Sequence, residues 1–331
     1  MDLLVLSAAD VHALLGYADC AAAMREALTA LASGQAQQPL RTVIAPEGAA
    51  GLMALMPSYL AGDDPAYGLK AICITPANPA AGLDTHQGVV LLSDGGTGQP
   101  AAILNAAAVT EIRTAAVSVV ATSLLARPDA AVLAVIGAGV QARAHILALD
   151  GARQLTEIRV AGRDTERTAR FAASLHGQTS APVRAVPAAG EAVAGADLIV
   201  TATSSADPVL SRDWIEPGTH INAVGACLPH QRELDTATVA AGVLFADRRD
   251  SLLAEAGDYR LAAAEGADPE VRAELGELLL GTATGRSDDA EITIFESLGL
   301  AVEDLAAAGR AYRQALARRG RPDEIGSWLA F

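Results

Sequence analysis

The stretch Val135-Ile-Gly137-Ala-Gly139-Val-Gln-Ala142 constrains this chain most. It is a G-x-G-x-x-A turn, placed after the apolar, β-branched run Ala131–Ile136 and before the helical stretch Val140–Leu149. Gly137 permits the tight turn, Gly139 lets a pyrophosphate approach the backbone, and Ala142 lets helix and strand pack closely. The fingerprint carries weight only in a βαβ setting, and the neighbouring sequence supplies one. Glu157–Val160, Pro182–Val186, Asp197–Thr201, His220–Val224 and Gly242–Ala246 read as further short strands, with helical stretches such as Thr165–Leu175 between them. Strand and helix in alternation predict an α/β fold with a doubly wound parallel sheet, here a six-strand set.

The strand after the fingerprint ends Ile158-Arg-Val-Ala-Gly162-Arg163-Asp164. A guanidinium at 163 suits a ribose 2′-phosphate, and Thr165 adds a hydroxyl donor. This favours NADPH. Asp164, able to turn onto a ribose 2′-OH, keeps NADH open.

The flanking regions read differently. Residues 1–34 have helical spacing, with Ser7 and Asp10 as N-caps. Residues 41–104 hold short strand-like runs punctuated by glycine and proline, an open sheet of mixed strands. A helix is expected from Thr110, as N-cap, to Ala126. That start would put Arg113 in the first turn, either as an ordinary surface arginine or with an anion bound at the same helix end by the free N–H groups and the guanidinium together. The last helix, Ala301–Arg319, presents Leu305, Ala308, Tyr312 and Leu316 on one side and is expected to return to the N-terminal region.

Half of the 331 residues are apolar (51%) and 19% are charged, which excludes disorder as the main state. Asp and Glu number 39 against 24 Lys and Arg, a net charge of −15. Nucleic acid and membrane are therefore not expected as partners. The apolar runs around 115–126 and 130–140 are too short for a membrane span. Cysteines 20, 73 and 227 form no C-x-x-C pair, and the N-terminus lacks the basic start of a signal peptide. A reducing, cytoplasmic location is the expectation. The histidines show no metal-binding spacing.

Of the 24 basic side chains, 23 are arginine and one is lysine, Lys70. Lysine can change protonation state when buried, whereas arginine practically cannot. Arg41, Lys70 and Arg113, on separate elements, are candidates to converge on one carboxylate, with Lys70 orienting the reacting group or delivering a proton.

Longer segments carry a specific resemblance. They are Lys70 to Gln87 with Asn78-Pro and Asp84-Thr85-His86, Leu91 to Pro100 with Asp94-Gly-Gly-Thr97-Gly98, and Thr110-Glu-Ile-Arg113-Thr114. Val135–Ala142, Ala223-Val-Gly225-Ala, Arg232-Glu233-Leu234-Asp235 and Gly285 to Asp304 continue the match in order. The chain resembles the ornithine cyclodeaminase/μ-crystallin family. The resemblance implies a homodimer with a Rossmann domain (119–305) and an α+β substrate-binding and dimerisation domain made from both chain ends (1–118 and 306–331). It implies a substrate site of Arg41, Lys70 (catalytic), Arg113, Cys227 and Leu298. Cofactor contacts are implied at Thr85, His86, Arg113, Val140, Gln141, Thr203, Val224 and Ser297, beside Gly137, Gly139, Gly162, Arg163, Asp164 and Thr165.

The departures from the family pattern are informative. The cyclodeaminases and related alanine dehydrogenases carry an aspartate two residues after the glycine of the V-G segment, where this chain has Cys227. A neutral thiol does not pair with a substrate ammonium or take its proton. The ketimine reductases of the μ-crystallin branch have a small neutral residue there and resemble Gly162-Arg163 in favouring NADPH. The expectation is NAD(P)H-dependent reduction of a cyclic imino acid, Δ1-pyrroline-2-carboxylate or Δ1-piperideine-2-carboxylate, to L-proline or L-pipecolate. Ornithine cyclodeaminase, an amino-acid or opine-type dehydrogenase, and a non-catalytic crystallin-like NADPH-binding protein are the alternatives.

Overall fold

A computed structural model describes residues 2–330, the side chain of Pro79 excepted. The chain forms two compact units, Met1–Arg113 with Leu300–Phe331, and Thr114–Gly299. Residues 1 and 331, the outer limits of the expected first domain, lie outside the described residues.

The first unit opens with a strand, β1 (Asp2–Leu6), where helix was expected. Pairing with neighbours on both sides decides this, over the local helical pattern. Helix α1 (Ala8–Leu14) then starts at a capping box: Ser7 Oγ accepts the Asp10 N–H, and the Asp10 carboxylate accepts the Ser7 N–H at 2.9 Å. After α2 (Tyr17–Ala32) come β2 (Ala36–Gln37), β3 (Thr42–Ile44), β4 (Leu52–Leu60), β5 (Ala66–Ile74), β6 (His86–Asp94) and β7 (Pro100–Asn105). Strands β4 to β7 form an antiparallel meander, and β1 joins β7 in parallel.

Helix α3 (Ala106–Leu125) begins before Thr110. Its cap is Asn105, whose side-chain oxygen accepts the Ala108 N–H at 2.9 Å. Arg113 therefore lies in the helix body, and the expected helix-end anion site beside it falls away. The helix is also longer than the apolar run suggested. By length and composition it could cross a membrane, but most of it is buried inside the protein as a core helix.

The second unit continues with β8 (Val132–Ile136), α4 (Val140–Ala152), β9 (Glu157–Ala161), α5 (Thr165–Ser174), β10 (Val183–Ala185), α6 (Ala189–Val193), β11 (Leu198–Thr201) and β12 (His220–Ala223). Then follow α7 (Thr236–Ala241), β13 (Val243–Ala246), α8 (Arg249–Glu255), α9 (Gly257–Ala264), β14 (Val271–Glu274), α10 (Leu275–Leu280) and β15 (Thr293–Glu296). The strand order is β10-β9-β8-β11-β12-β15-β13-β14, and every pair is parallel. Eight strands replace the expected six. Strand β15 inserts between β12 and β13, completely buried, as a strand covered on both faces should be. Ala134, Ile136, Ile199, Ile221 and Ile294 fill the core on one face; Leu133, Val135, Ile158, Leu198 and Val200 fill the other. The order reverses between β8 and β11, next to the fingerprint turn, where open α/β sheets bind ligands.

The chain then returns to the first unit with α11 (Ala301–Arg318) and β16 (Ser327–Ala330), which pairs with β1. Helix α11 packs on β4, β5, β6 and α2. Its buried stripe runs through Leu305, Ala308, Ala311 and Ala315, while Leu316 is exposed and Tyr312 half-buried, against expectation. Small alanines let the helix lie close to the sheet, so the larger residues turn outward.

Candidate active site

Strand alternation aims Gly68, Lys70 and Ile72 of β5 at the covered face of the first sheet, level with Ser58, Met56 and Ala54 of β4. Gly68 lets α11 approach. A Cβ there would meet Leu305 Cβ and Cδ1 at 3.0 Å and Ser58 Oγ at 3.2 Å. Ser58 Oγ–H donates to the Ala301 carbonyl at 3.1 Å, and Gln38 Oε1 accepts the Val302 N–H at 2.8 Å. These bonds fix the first turn of α11, which carries Glu303 and Asp304.

Both acids meet the expected cations. Lys70 Nζ lies 2.7 Å from Asp304 Oδ2, Arg113 Nε donates to Asp304 Oδ1 at 3.1 Å, and Arg113 Nη1 reaches Glu303 Oε2 at 3.2 Å. Glu303 also accepts the Leu300 N–H at 3.2 Å, and the helix N-terminus favours both negative charges. All four side chains are buried. Lys70 and Arg113 thus converge on a carboxylate of the protein itself. Burial pushes the Lys70 pKa down to about 8, helped by Arg113 and Arg41 and opposed by Asp304. An ammonium with that pKa is mostly charged at neutral pH and gives its proton readily.

Arg41 is half-buried just before β3, near enough for its charge to act on Lys70. His86 starts β6 with an exposed side chain. Even so, the surrounding protein, followed by the Lys70 and Arg113 charges, lowers its pKa. Thr85 is half-buried beside it, its carbonyl accepting the Thr75 N–H at 2.9 Å. Arg41, Lys70, Thr85, His86 and Arg113 therefore belong to the first unit, and every other candidate belongs to the second. Sequence reasoning missed Glu303 and Asp304. Acids are common in a first helical turn, and nothing local sets these apart.

The second unit gathers its candidates at the carboxyl ends of parallel strands. Gly137 has φ +128°, and a Cβ there would lie 2.4 Å from the Ala202 carbonyl oxygen. Gly139 is the N-cap of α4 with no side-chain cap, and a Cβ there would find open space. Val140 is exposed, Gln141 half-buried and Ala142 buried. At the end of β9, a Cβ on Gly162 would meet Thr168 Oγ1 at 2.6 Å. Arg163, Asp164 and Thr165 are exposed, and the Asp164 carboxylate caps α5 by accepting the Arg167 N–H at 2.9 Å.

After β11 and β12, Thr203 N–H and Gly225 N–H both donate to Glu233, at 2.6 and 2.7 Å. Val224 is buried. Cys227 is half-buried against the core, and its thiol donates to the Val224 carbonyl at 3.3 Å. After β15, Leu298 N–H donates to Asp247 at 2.9 Å, and the neighbouring Ser297 hydroxyl is buried without a hydrogen-bond partner among the described residues. A backbone cradle at Gly137–Gly139, uncapped helix N–H groups and an orphaned hydroxyl fit a dinucleotide carrying phosphates and polar edges.

Known proteins resemble this chain in sequence and in fold. The ornithine cyclodeaminase/mu-crystallin family model matches residues 1–319. The chain is 38% identical to mouse ketimine reductase mu-crystallin over 279 residues, 84% of this chain and 85% of the relative. It is 35% identical to a delta(1)-pyrroline-2-carboxylate reductase of Bacillus cereus over 319 residues, 96% and 98% of the two. Its fold matches that of the Thermococcus litoralis delta(1)-pyrroline-2-carboxylate reductase, solved in complex with NADH and L-proline. That match has a TM-score of 0.93 and 36% identity, covering 98% of this chain and 99% of the other. An archaeal alanine dehydrogenase dimer with bound NAD matches with a TM-score of 0.92 and 32% identity, covering all of both chains. The chain belongs to the ornithine cyclodeaminase/mu-crystallin family.

Proposed function

We propose that this protein is an enzyme that reduces cyclic imino acids such as Δ1-pyrroline-2-carboxylate with a nicotinamide dinucleotide, NADPH in preference to NADH. The observation that carries the reading is Lys70, a buried ammonium with a pKa of about 8 between Asp304 and the Arg113 charge. In this reading the Gly137–Gly139 turn would hold the dinucleotide, which when bound would supply a hydride for the imine carbon. Lys70 gives the imine nitrogen its proton, and Asp304 holds the ammonium at the place of transfer. Arg41 and Arg113 bind the carboxylate, Arg113 being kept rigid by Glu303 and Asp304. The nitrogen keeps the proton, the carbon gains the hydride, and Lys70 regains its proton from solvent.

The surroundings of Cys227 weigh against cyclodeamination. A base would have to replace the aspartate that the cyclodeaminases carry there. The nearby acids are engaged: Glu233 holds two loop N–H groups, and Asp235 caps α7 through the Thr238 N–H at 2.7 Å. NADPH preference is supported by exposed Arg163 and by Asp164, which is tied to its helix.

A homodimer is supported by the outer face of the first sheet. There Met53, Leu55, Leu69, Ala71, Val89 and Leu91 form an apolar surface, exposed or half-buried. Val89→Glu should yield monomers in analytical ultracentrifugation, and an unchanged dimer would place the interface elsewhere.

The deciding assay follows NADPH absorbance with purified protein and freshly made Δ1-pyrroline-2-carboxylate, repeated with NADH and with the six-membered ring. Rapid oxidation is expected. No oxidation, with ammonia released from ornithine, would overturn the reading in favour of a cyclodeaminase.

A further inference from the structure

Strands β11 and β12 lie side by side and parallel, and their register ends at Thr201 and Ala223. One further bond runs from the Val224 N–H to the Thr201 carbonyl at 3.0 Å. Past that point the two segments leave the sheet as loops, and a carboxylate joins them. Thr203 N–H donates to Glu233 Oε1 at 2.6 Å and Gly225 N–H donates to Glu233 Oε2 at 2.7 Å, one oxygen for each loop. Buried N–H groups need acceptors, and a carboxylate offers two in one rigid plane.

The fit around it is close. A Cβ on Gly225 would lie 2.1 Å from the Thr203 carbonyl oxygen and 2.6 Å from the Glu233 carboxyl carbon, so it is glycine that allows this approach. A Cβ on Gly137 would lie 2.4 Å from the Ala202 carbonyl oxygen and 3.6 Å from Thr203 Cγ2, which seats the loop after β11 against the fingerprint turn. Glu233 is itself held from behind. Its N–H donates to Asp258 Oδ1 at 2.7 Å, and its carbonyl accepts the Val209 and Leu210 N–H groups at 2.7 and 3.0 Å. It is fully buried. Burying a carboxylate is costly unless its oxygens are bonded, and both of these are bonded to loop backbone.

We propose that Glu233 is a positioning residue for the dinucleotide site: it sets the separation of the loops that carry Thr203 and Val224, and holds the first of them against the Gly137 turn. The effect on a cofactor rests on the reading given under the proposed function; the locking of the two loops does not. Glu233 acts through the Thr203 and Gly225 backbone, and the lock needs both of its oxygens.

The test compares wild type with Glu233→Gln and Glu233→Asp. Glutamine has the same size but one acceptor, so one loop N–H is left facing an amide NH2. Aspartate keeps both oxygens on a shorter stem, which draws them back from the loops. Hydrogen exchange of the Thr203 and Gly225 amides is measured without cofactor, with the amides of β12 as the control for global opening. NADPH affinity is read by fluorescence, and kcat and the KM for NADPH with Δ1-pyrroline-2-carboxylate. In wild type both amides should exchange slowly. In either variant at least one should exchange faster by about tenfold or more while β12 keeps its protection. NADPH should weaken about 2- to 30-fold, and its KM should rise more than kcat falls. A residue that only stabilises the fold would lower the melting temperature and leave these readings unchanged in the folded protein. If one variant fails to fold, the other carries the same comparison, and free exchange of either amide in wild type would overturn the lock without any variant. Wild-type protection of both amides in a folded variant would overturn it too. Faster exchange with NADPH affinity unchanged would overturn the positioning role. Faster exchange with NADPH bound by none of the proteins, wild type included, would overturn the cofactor reading and leave the lock standing.

Discussion

Lys70 in the middle of β5 and Asp304 in the first turn of α11 approach to 2.7 Å, both buried. Asp304 is the strongest influence holding the Lys70 pKa up, against burial and two arginines. If Lys70 is the proton donor, turnover at saturating substrate falls as pH rises through its pKa of about 8, because the donor is then neutral. Asp304→Asn removes the raising charge, so the same fall should come at lower pH. Breaking a buried pair also costs about 3–5 kcal/mol of stability. The pH–rate profile separates the two effects, and an unshifted alkaline limb would remove Asp304 from the positioning of Lys70.

Lys70→Met should fold and lose about 10²- to 10⁴-fold in kcat/KM, the usual contribution of a positioned proton donor. Lys70→Arg keeps the charge and the Asp304 partner but cannot release a proton. It should retain substrate binding, read as KM, while kcat collapses. Near-wild-type turnover in Lys70→Arg would assign Lys70 to electrostatic binding alone.

Much of the second unit was legible because its signals are local. The fingerprint residues 137–142 and the strands to either side depend on neighbours within a few residues. What escaped was set by distant partners. Strand β1 exists because β7 and β16 pair with it, and β15 is a four-residue strand whose place between β12 and β13 no local period announces. Arg113 was recognised as a site residue for a partly wrong reason: its helix starts at Ala106, and Glu303 and Asp304 hold it, not a helix end. Those two acids come from the far end of the chain, so reading Lys70 and Arg113 in isolation left their counter-charges unseen.

Gly68 tests whether the approach of α11 sets the site. Gly68→Ala would press on Leu305, where a Cβ finds carbon at 3.0 Å, and move the turn that carries Asp304 away from Lys70. Overpacking of this kind costs about 1–3 kcal/mol. The expected signature is a modest drop in melting temperature with a larger loss in kcat than in KM. Equal small changes in both would show that the helix adjusts without disturbing the pair.

Cofactor choice turns on the end of β9, where the Asp164 carboxylate caps α5 while Arg163 stands exposed beside it. Hydrogen bonds to a charged group contribute about 1.5–3 kcal/mol, so Arg163→Ala should weaken NADPH by about 10- to 100-fold. NADH has no 2′-phosphate and should bind as before, so the preference narrows or reverses. Asp164→Ala should instead cost about 1 kcal/mol of stability through the lost cap, with the NADPH/NADH ratio unchanged. Titration of both variants with each dinucleotide, read by protein and nicotinamide fluorescence, decides between these assignments. Equal weakening of NADPH and NADH in Arg163→Ala would place the 2′-phosphate contact elsewhere. A ratio that changes in Asp164→Ala would mean that the carboxylate leaves its helix cap to meet the ribose.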